Sequence, residues 1–69
     1  MMVEKSIDLT ATGSTIEEAV AEALGRASLT LEGVSSFELE RVEGMIEEGR
    51  VTYRVRLRVS FTLKEQFHG

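Results

Sequence analysis

Arg50-Val51-Thr52-Tyr53-Arg54-Val55-Arg56-Leu57-Arg58-Val59-Ser60-Phe61-Thr62-Leu63 alternates apolar and polar residues without a break. A period of two over such a run reads as one long β-strand, because successive side chains point to opposite faces. Val51, Tyr53, Val55, Leu57, Val59, Phe61 and Leu63 share one face, while Arg54, Arg56 and Arg58 share the other with Thr52, Ser60 and Thr62. Three arginines in register repel one another unless carboxylates lie alongside. The remaining sequence has to supply them.

It does so on both sides. Met2 to Thr12 also alternates, with Val3, Lys5, Ile7, Leu9 and Ala11 on one face and Glu4, Ser6, Asp8 and Thr10 on the other. Val34 to Ile46 sets Phe37 and Leu39 against Ser36, Glu38 and Glu40, and its alternation slips near Val42, Glu43 and Gly44. A slip beside a glycine predicts a β-bulge there. Glu47-Glu48-Gly49 then predicts a three-residue hairpin turn with Gly49 at positive φ. Counted back from that turn, Ile46 opposes Arg50, so without a bulge Glu40 opposes Arg56 and Glu38 opposes Arg58.

Between the first two strands lies a helix. Ser14-Thr15-Ile16-Glu17 predicts a capping box with Ser14 as N-cap. Ile16, Ala19, Val20, Ala23, Leu24, Ala27 and Leu31 mark one helical face. Gly33 suits a left-handed position past the helix end. Gly25 in the helix interior costs about 1 kcal/mol against alanine, a hint that another chain or element approaches closely there. The order strand, helix, strand, strand predicts an α+β fold with a three-stranded antiparallel sheet ordered 1-3-2. One helix crosses right-handedly over a face. The acidic-basic-acidic succession across the sheet supports that order.

Bulk properties bound the function. The chain has 69 residues, no cysteine, one histidine and a formal charge of −4. It is read as a single domain, 1–69, with 1–2 and 66–69 as mobile ends. The charge argues against non-specific nucleic-acid binding. No apolar run reaches membrane-spanning length and no basic-then-apolar leader opens the chain, so the expected location is cytoplasmic. A core this small needs a staple, and without disulfides that staple is oligomerisation. The charged sheet face, left uncovered on a chain of this size, reads either as a solvated surface or as a wet subunit interface. No nucleophile–histidine set is available, so no enzymatic activity is expected. Glu17-Glu18 and Glu47-Glu48 read first as helix-start and turn solvation. The metal ligands are unknown, with Asp8, Glu47 and Glu48 as candidates for a cluster at a symmetry axis.

Ser14-Thr15-Ile16-Glu17-Glu18-Ala19-Val20, Arg26 to Leu31, Ser36-Phe37-Glu38-Leu39, Glu48-Gly49-Arg50-Val51 and Tyr53 to Phe61 resemble the dodecin family. The resemblance runs from about Val3 to Glu65. It implies a β-α-β-β subunit wrapped around its helix and assembled as a hollow homododecamer, many members of which bind stacked flavins. Two positions matching the family's flavin pocket are substituted. Ser36 stands where flavin-binding members carry a stacking tryptophan, and Arg54 where they carry a hydrogen-bonding glutamine. Phe37 is expected on the helix-covered face, so it does not replace the missing ring. Losing an aromatic platform costs about 1–3 kcal/mol per stacked ring, by analogy with base stacking. The resemblance is nearer to the branch called calcium dodecins. It implies a non-enzymatic shell that binds or stores a small ligand or ion, with calcium a candidate and riboflavin or FMN weak or absent. The competing readings are a flavin store with an altered pocket and a pure structural scaffold.

Overall fold

The computed structural model describes residues 2–64. Residues 1 and 65–69, including most of the expected mobile ends, lie outside them; Met2 is already in the first strand. The order is β1 (Met2–Gly13), α1 (Ile16–Thr30), β2 (Val34–Glu47) and β3 (Arg50–Lys64). The strands form one antiparallel sheet ordered β1-β3-β2. The long alternating stretch is thus central, as its pattern requires.

The core sits where β3 meets the helix. Val55, Leu57 and Val59 are fully buried, Phe61 nearly so, and Ala11, Ala19, Ala23 and Ala27 close the other side. Alanines one helical turn apart let the helix backbone lie low on the sheet. At its start the approach is closest: a Cβ on Gly13 would stand 2.6 Å from the Ala19 backbone nitrogen. Arg26 adds a polar clamp, donating to the Thr10 carbonyl at 2.5 Å.

The helix is capped one residue later than expected. Thr15 is the N-cap and its hydroxyl accepts from the Glu18 amide at 3.0 Å, while the Glu18 carboxylate accepts from the Ser14 amide at 3.1 Å. Ser14 therefore supplies an amide rather than the capping oxygen, and Glu17 is not the reciprocal partner. Helix α1 ends at Thr30 with Leu31 as C-cap; Gly33 has the positive φ of 70° but stands two residues beyond the cap. Among the described residues, a Cβ added at Gly25 would meet nothing within 4 Å outside its own helix backbone.

The hairpin differs in the same small way. Glu48 and Gly49 both have positive φ, 50° and 76°, and Glu47 faces Arg50, which makes a two-residue type I′ turn rather than a three-residue one. That shifts the register by one, so Glu43 faces Arg54 and Arg41 faces Arg56. The bulge falls at Glu40, between Leu39 and Arg41, not near Gly44, and restores the expected pairing of Glu38 with Arg58. A second irregularity lies at Ser35.

A 15-residue helix is about 22 Å long, whereas a 15-residue strand runs about 50 Å. The helix packs on β1 and β3 and barely reaches β2. Consequently the apolar side of β2 is bare. Phe37 is 46% exposed, Leu39 41%, Val42 42% and Ile46 78%. Phe37 has the same strand parity as the core, since it faces Val59. It is not covered by the helix, which corrects that expectation. Bare surface on this chain therefore includes an apolar strip as well as the charged face.

Candidate functional site

The polar face of the sheet gathers the groups that chemistry can use. Arg54, Arg56 and Arg58 project from β3 at every second residue, and the strands on either side bring carboxylates to them. Asp8 of β1 bridges two guanidinium groups, with Oδ1 3.2 Å from Arg58 Nε and Oδ2 3.5 Å from Arg56 Nη2. Glu40, turned out by the bulge, reaches the same pair from β2 at 3.5 Å to Arg58 and 4.0 Å to Arg56. Glu43 lies between Arg54 and Arg41, 3.4 Å from each. The acidic-basic-acidic order read from the sequence is thus realised, and Glu43 adds a carboxylate beside Arg54.

This network moves proton affinities in the expected sense. The hydrogen bond from Arg58 lowers the Asp8 pKa, helped by the charges of Arg58 and Arg56 against partial desolvation. Asp8 in turn raises the pKa of Arg58 through the same hydrogen bond, with the charge of Glu40 adding to it. Every member remains partly open to water, so these are screened pairs rather than a buried ionic lock.

Ser36 and Arg54 share the polar face but lie far apart. Ser36 faces Ser60, and six residues of β3 separate Ser60 from Arg54, about 20 Å of extended chain. One chain therefore does not bring the two substituted positions to one small ring system. A pocket using both would be completed by a neighbouring copy. Ser36 is exposed and presents no aromatic surface; Arg54 is half-exposed and already engaged by Glu43.

The carboxylates are dispersed too. Asp8 is held by arginines, and Glu47 and Glu48 lie at the hairpin end, about 26 Å along β3 from the Asp8–Arg58 pair. Among the described residues no three of His, Cys, Asp or Glu come together as a metal site. What the face does hold is a shallow depression of about 280 Å³ lined by Thr10, Arg41, Glu43, Arg54, Val55 and Arg56. Arg41 and Glu43 went unrecognised in the sequence because the turn was counted one residue too long and the bulge was expected at Val42 to Gly44 instead of at Glu40. Glu48-Gly49 is not one of the usual two-residue hairpin pairs, so the sequence held no clear cue to that turn.

Comparison with known proteins places this architecture. The sequence model of the Dodecin family matches residues 3–64. An arginine-to-alanine variant of the Thermus thermophilus dodecin superposes with a TM-score of 0.87 at 37% identity, over 94% of this chain and 100% of that one. The Streptomyces coelicolor dodecin gives 0.85 at 33% identity, covering 94% and 96%. The calcium dodecin of Mycobacterium tuberculosis, a calcium-chelating antigen with a calcium-binding site, gives 0.79 at 29% identity, covering 97% and 99%. Comparison with curated proteins finds no match. No helix among the described residues is long and apolar enough to cross a membrane.

Proposed function

The chain belongs to the dodecin family, and from that premise we propose that it acts without catalysis, as a homo-oligomeric shell of dodecameric type that binds or stores a small ligand or ion in the cytoplasm. The observation that carries the proposal is the bare apolar side of β2, with Phe37, Leu39, Val42 and Ile46 exposed beside a core of eight buried residues among those described. A second copy is the natural cover for a strip that its own helix, seated over β1 and β3, leaves open. This apolar strip, more than the arginine face, supplies the driving force for assembly.

Flavin is not the expected ligand. Ser36 offers no π-face, and a ring stacked against it meets water instead of a dispersion partner. Arg54 donates hydrogen bonds and accepts none, so it does not satisfy a flavin ring N–H as a glutamine does. Calcium needs six to eight oxygen ligands, and one chain does not gather them. A calcium site here requires one carboxylate, such as Glu47 or Glu48, repeated from several copies around an axis. Overall identity, 29% to the calcium dodecin and 37% to the Thermus protein, does not select the branch. The leaning toward calcium rests on Ser36 and Arg54.

Thermal melts of the purified protein with calcium, magnesium and riboflavin separate these readings, since a ligand that binds the native state raises its melting temperature. A shift with calcium and not magnesium supports the ion shell, and no shift with any of the three supports a scaffold. A large shift with riboflavin contradicts the reading of Ser36 and Arg54.

A further inference from the structure

The sheet has two free edges, and they are protected differently. Thr62 donates its amide to the Gly33 carbonyl, and the Ser60 carbonyl accepts from the Ser35 hydroxyl, so even-numbered residues of β3 turn their backbone groups toward β2. That direction alternates along a strand, so the odd-numbered residues turn toward β1. The β1–β3 register is unbroken and pairs odd with odd: Lys5 with Phe61, Ile7 with Val59, Leu9 with Leu57. Glu4, Ser6, Asp8 and Thr10 therefore point their amides and carbonyls away from the sheet. Such a row is a template on which another strand can pair. On β2 the outer edge is interrupted by irregularities at Ser35 and Glu40, and a bulge disrupts pairing. On β1 no bulge occurs. There Arg26 reaches over from the helix and donates to the Thr10 carbonyl at 2.5 Å, with Glu22 3.4 Å from the guanidinium. Among the described residues it is the one side chain that hydrogen-bonds to this row.

We propose that Arg26 is an edge guard, which by occupying the Thr10 carbonyl stops β1 from pairing with the strand edge of a second copy. An incoming strand has to displace a charge-assisted hydrogen bond at Thr10 and move a guanidinium off the edge. With the guard in place the bare row is cut to Glu4, Ser6 and Asp8, too short for a full strand to add. The chain thus carries a device against open-ended growth through its sheet edge. That device is separate from the apolar strip of β2, and it stands whether or not the strip closes a shell.

Arg26→Ala tests it, since alanine keeps the helix and adds no apolar bulk. The full chain and the variant are incubated over a concentration series, and polymer is read by sedimentation and light scattering. The variant should form polymer larger than the wild-type species. Its pairing equilibrium should rise about tenfold or more, the range for one charge-assisted hydrogen bond that no longer has to be displaced. Residue-resolved amide hydrogen exchange identifies the contact. The Glu4, Ser6, Asp8 and Thr10 amides should exchange freely in the wild type and become protected in the polymer. Ser6→Pro removes one outward amide and leaves the ladder whole, so adding it to Arg26→Ala should suppress the polymer. Absence of polymer from Arg26→Ala overturns the proposal. So does polymer that leaves those four amides unprotected, or a folded double variant that polymerises as fast as Arg26→Ala. Protection of the four amides in the wild type overturns it too, because the edge is then already covered. Light scattering on the wild type reads the shell separately: a monomer whose Arg26→Ala variant polymerises through β1 refutes the shell and keeps the guard.

Discussion

Ile46→Thr distinguishes a covered β2 from a bare one. Ile46 is 78% exposed in the single chain, and threonine keeps β-branching while replacing apolar volume with a hydroxyl. Fully burying an aliphatic or aromatic side chain is worth about 1.5–3 kcal/mol. Scaled by exposure, covering Ile46 is worth about 1.2–2.3 kcal/mol. The same scaling over Phe37, Leu39, Val42 and Ile46 gives about 3–6 kcal/mol per chain. A domain of this length is stable by only about 3–10 kcal/mol, so the proposed assembly would supply a large part of its stability. Chemical denaturation at several protein concentrations reads the effect. Ile46→Thr should lower stability by at least about 1 kcal/mol per subunit and strengthen the concentration dependence of the midpoint. A loss below about 0.5 kcal/mol at every concentration, the ordinary result for an exposed site, refutes the reasoning.

Gly13→Ala forces a Cβ to 2.6 Å from the Ala19 backbone nitrogen and should cost about 1–3 kcal/mol in a denaturation series, whereas Gly25→Ala meets nothing within 4 Å among the described residues. Gly25→Ala should therefore add about 0.5–1 kcal/mol, and a loss instead would locate a neighbouring copy against that turn of α1. Because the Asp8 pKa is lowered in the folded chain, its contribution is present above its unfolded value near 4 and disappears as pH falls through the folded value below it. An acid titration followed by circular dichroism should show that Asp8→Asn flattens the fall in stability below about pH 4, and an unchanged slope would remove Asp8 from the account. Riboflavin fluorescence should be little quenched by the native protein, while Ser36→Trp combined with Arg54→Gln should restore quenching; submicromolar binding by the unmodified chain would contradict the ligand reading.

The central strand was legible because the period-two pattern of Arg50 to Leu63 admits one reading, and the charges of Asp8, Glu38 and Glu40 located its neighbours. The alanine face of the helix was legible for a similar reason, since Ala19, Ala23 and Ala27 are one turn apart. What escaped were one-residue choices between chemically similar neighbours. Ser14 and Thr15 are both good caps, each with a glutamate three positions on, and the approach of Gly13 to Ala19 decides for Thr15. Three-residue and two-residue turns both suit Glu47-Glu48-Gly49, and that choice, with the bulge expected at Gly44 instead of Glu40, hid the Arg41–Arg56 juxtaposition and the role of Glu43. The exposure of Phe37 was not legible from strand parity, which tells a face but not whether anything covers it. What was missing is which strands the helix overlies: it packs on β1 and β3 and leaves β2 open, although Phe37 lies level with the buried Val59.

Mass in solution tests the central claim most directly. Size-exclusion chromatography with light scattering at micromolar concentration should give a single species near twelve times the 7.7 kDa subunit. A monodisperse species of one subunit mass would contradict it.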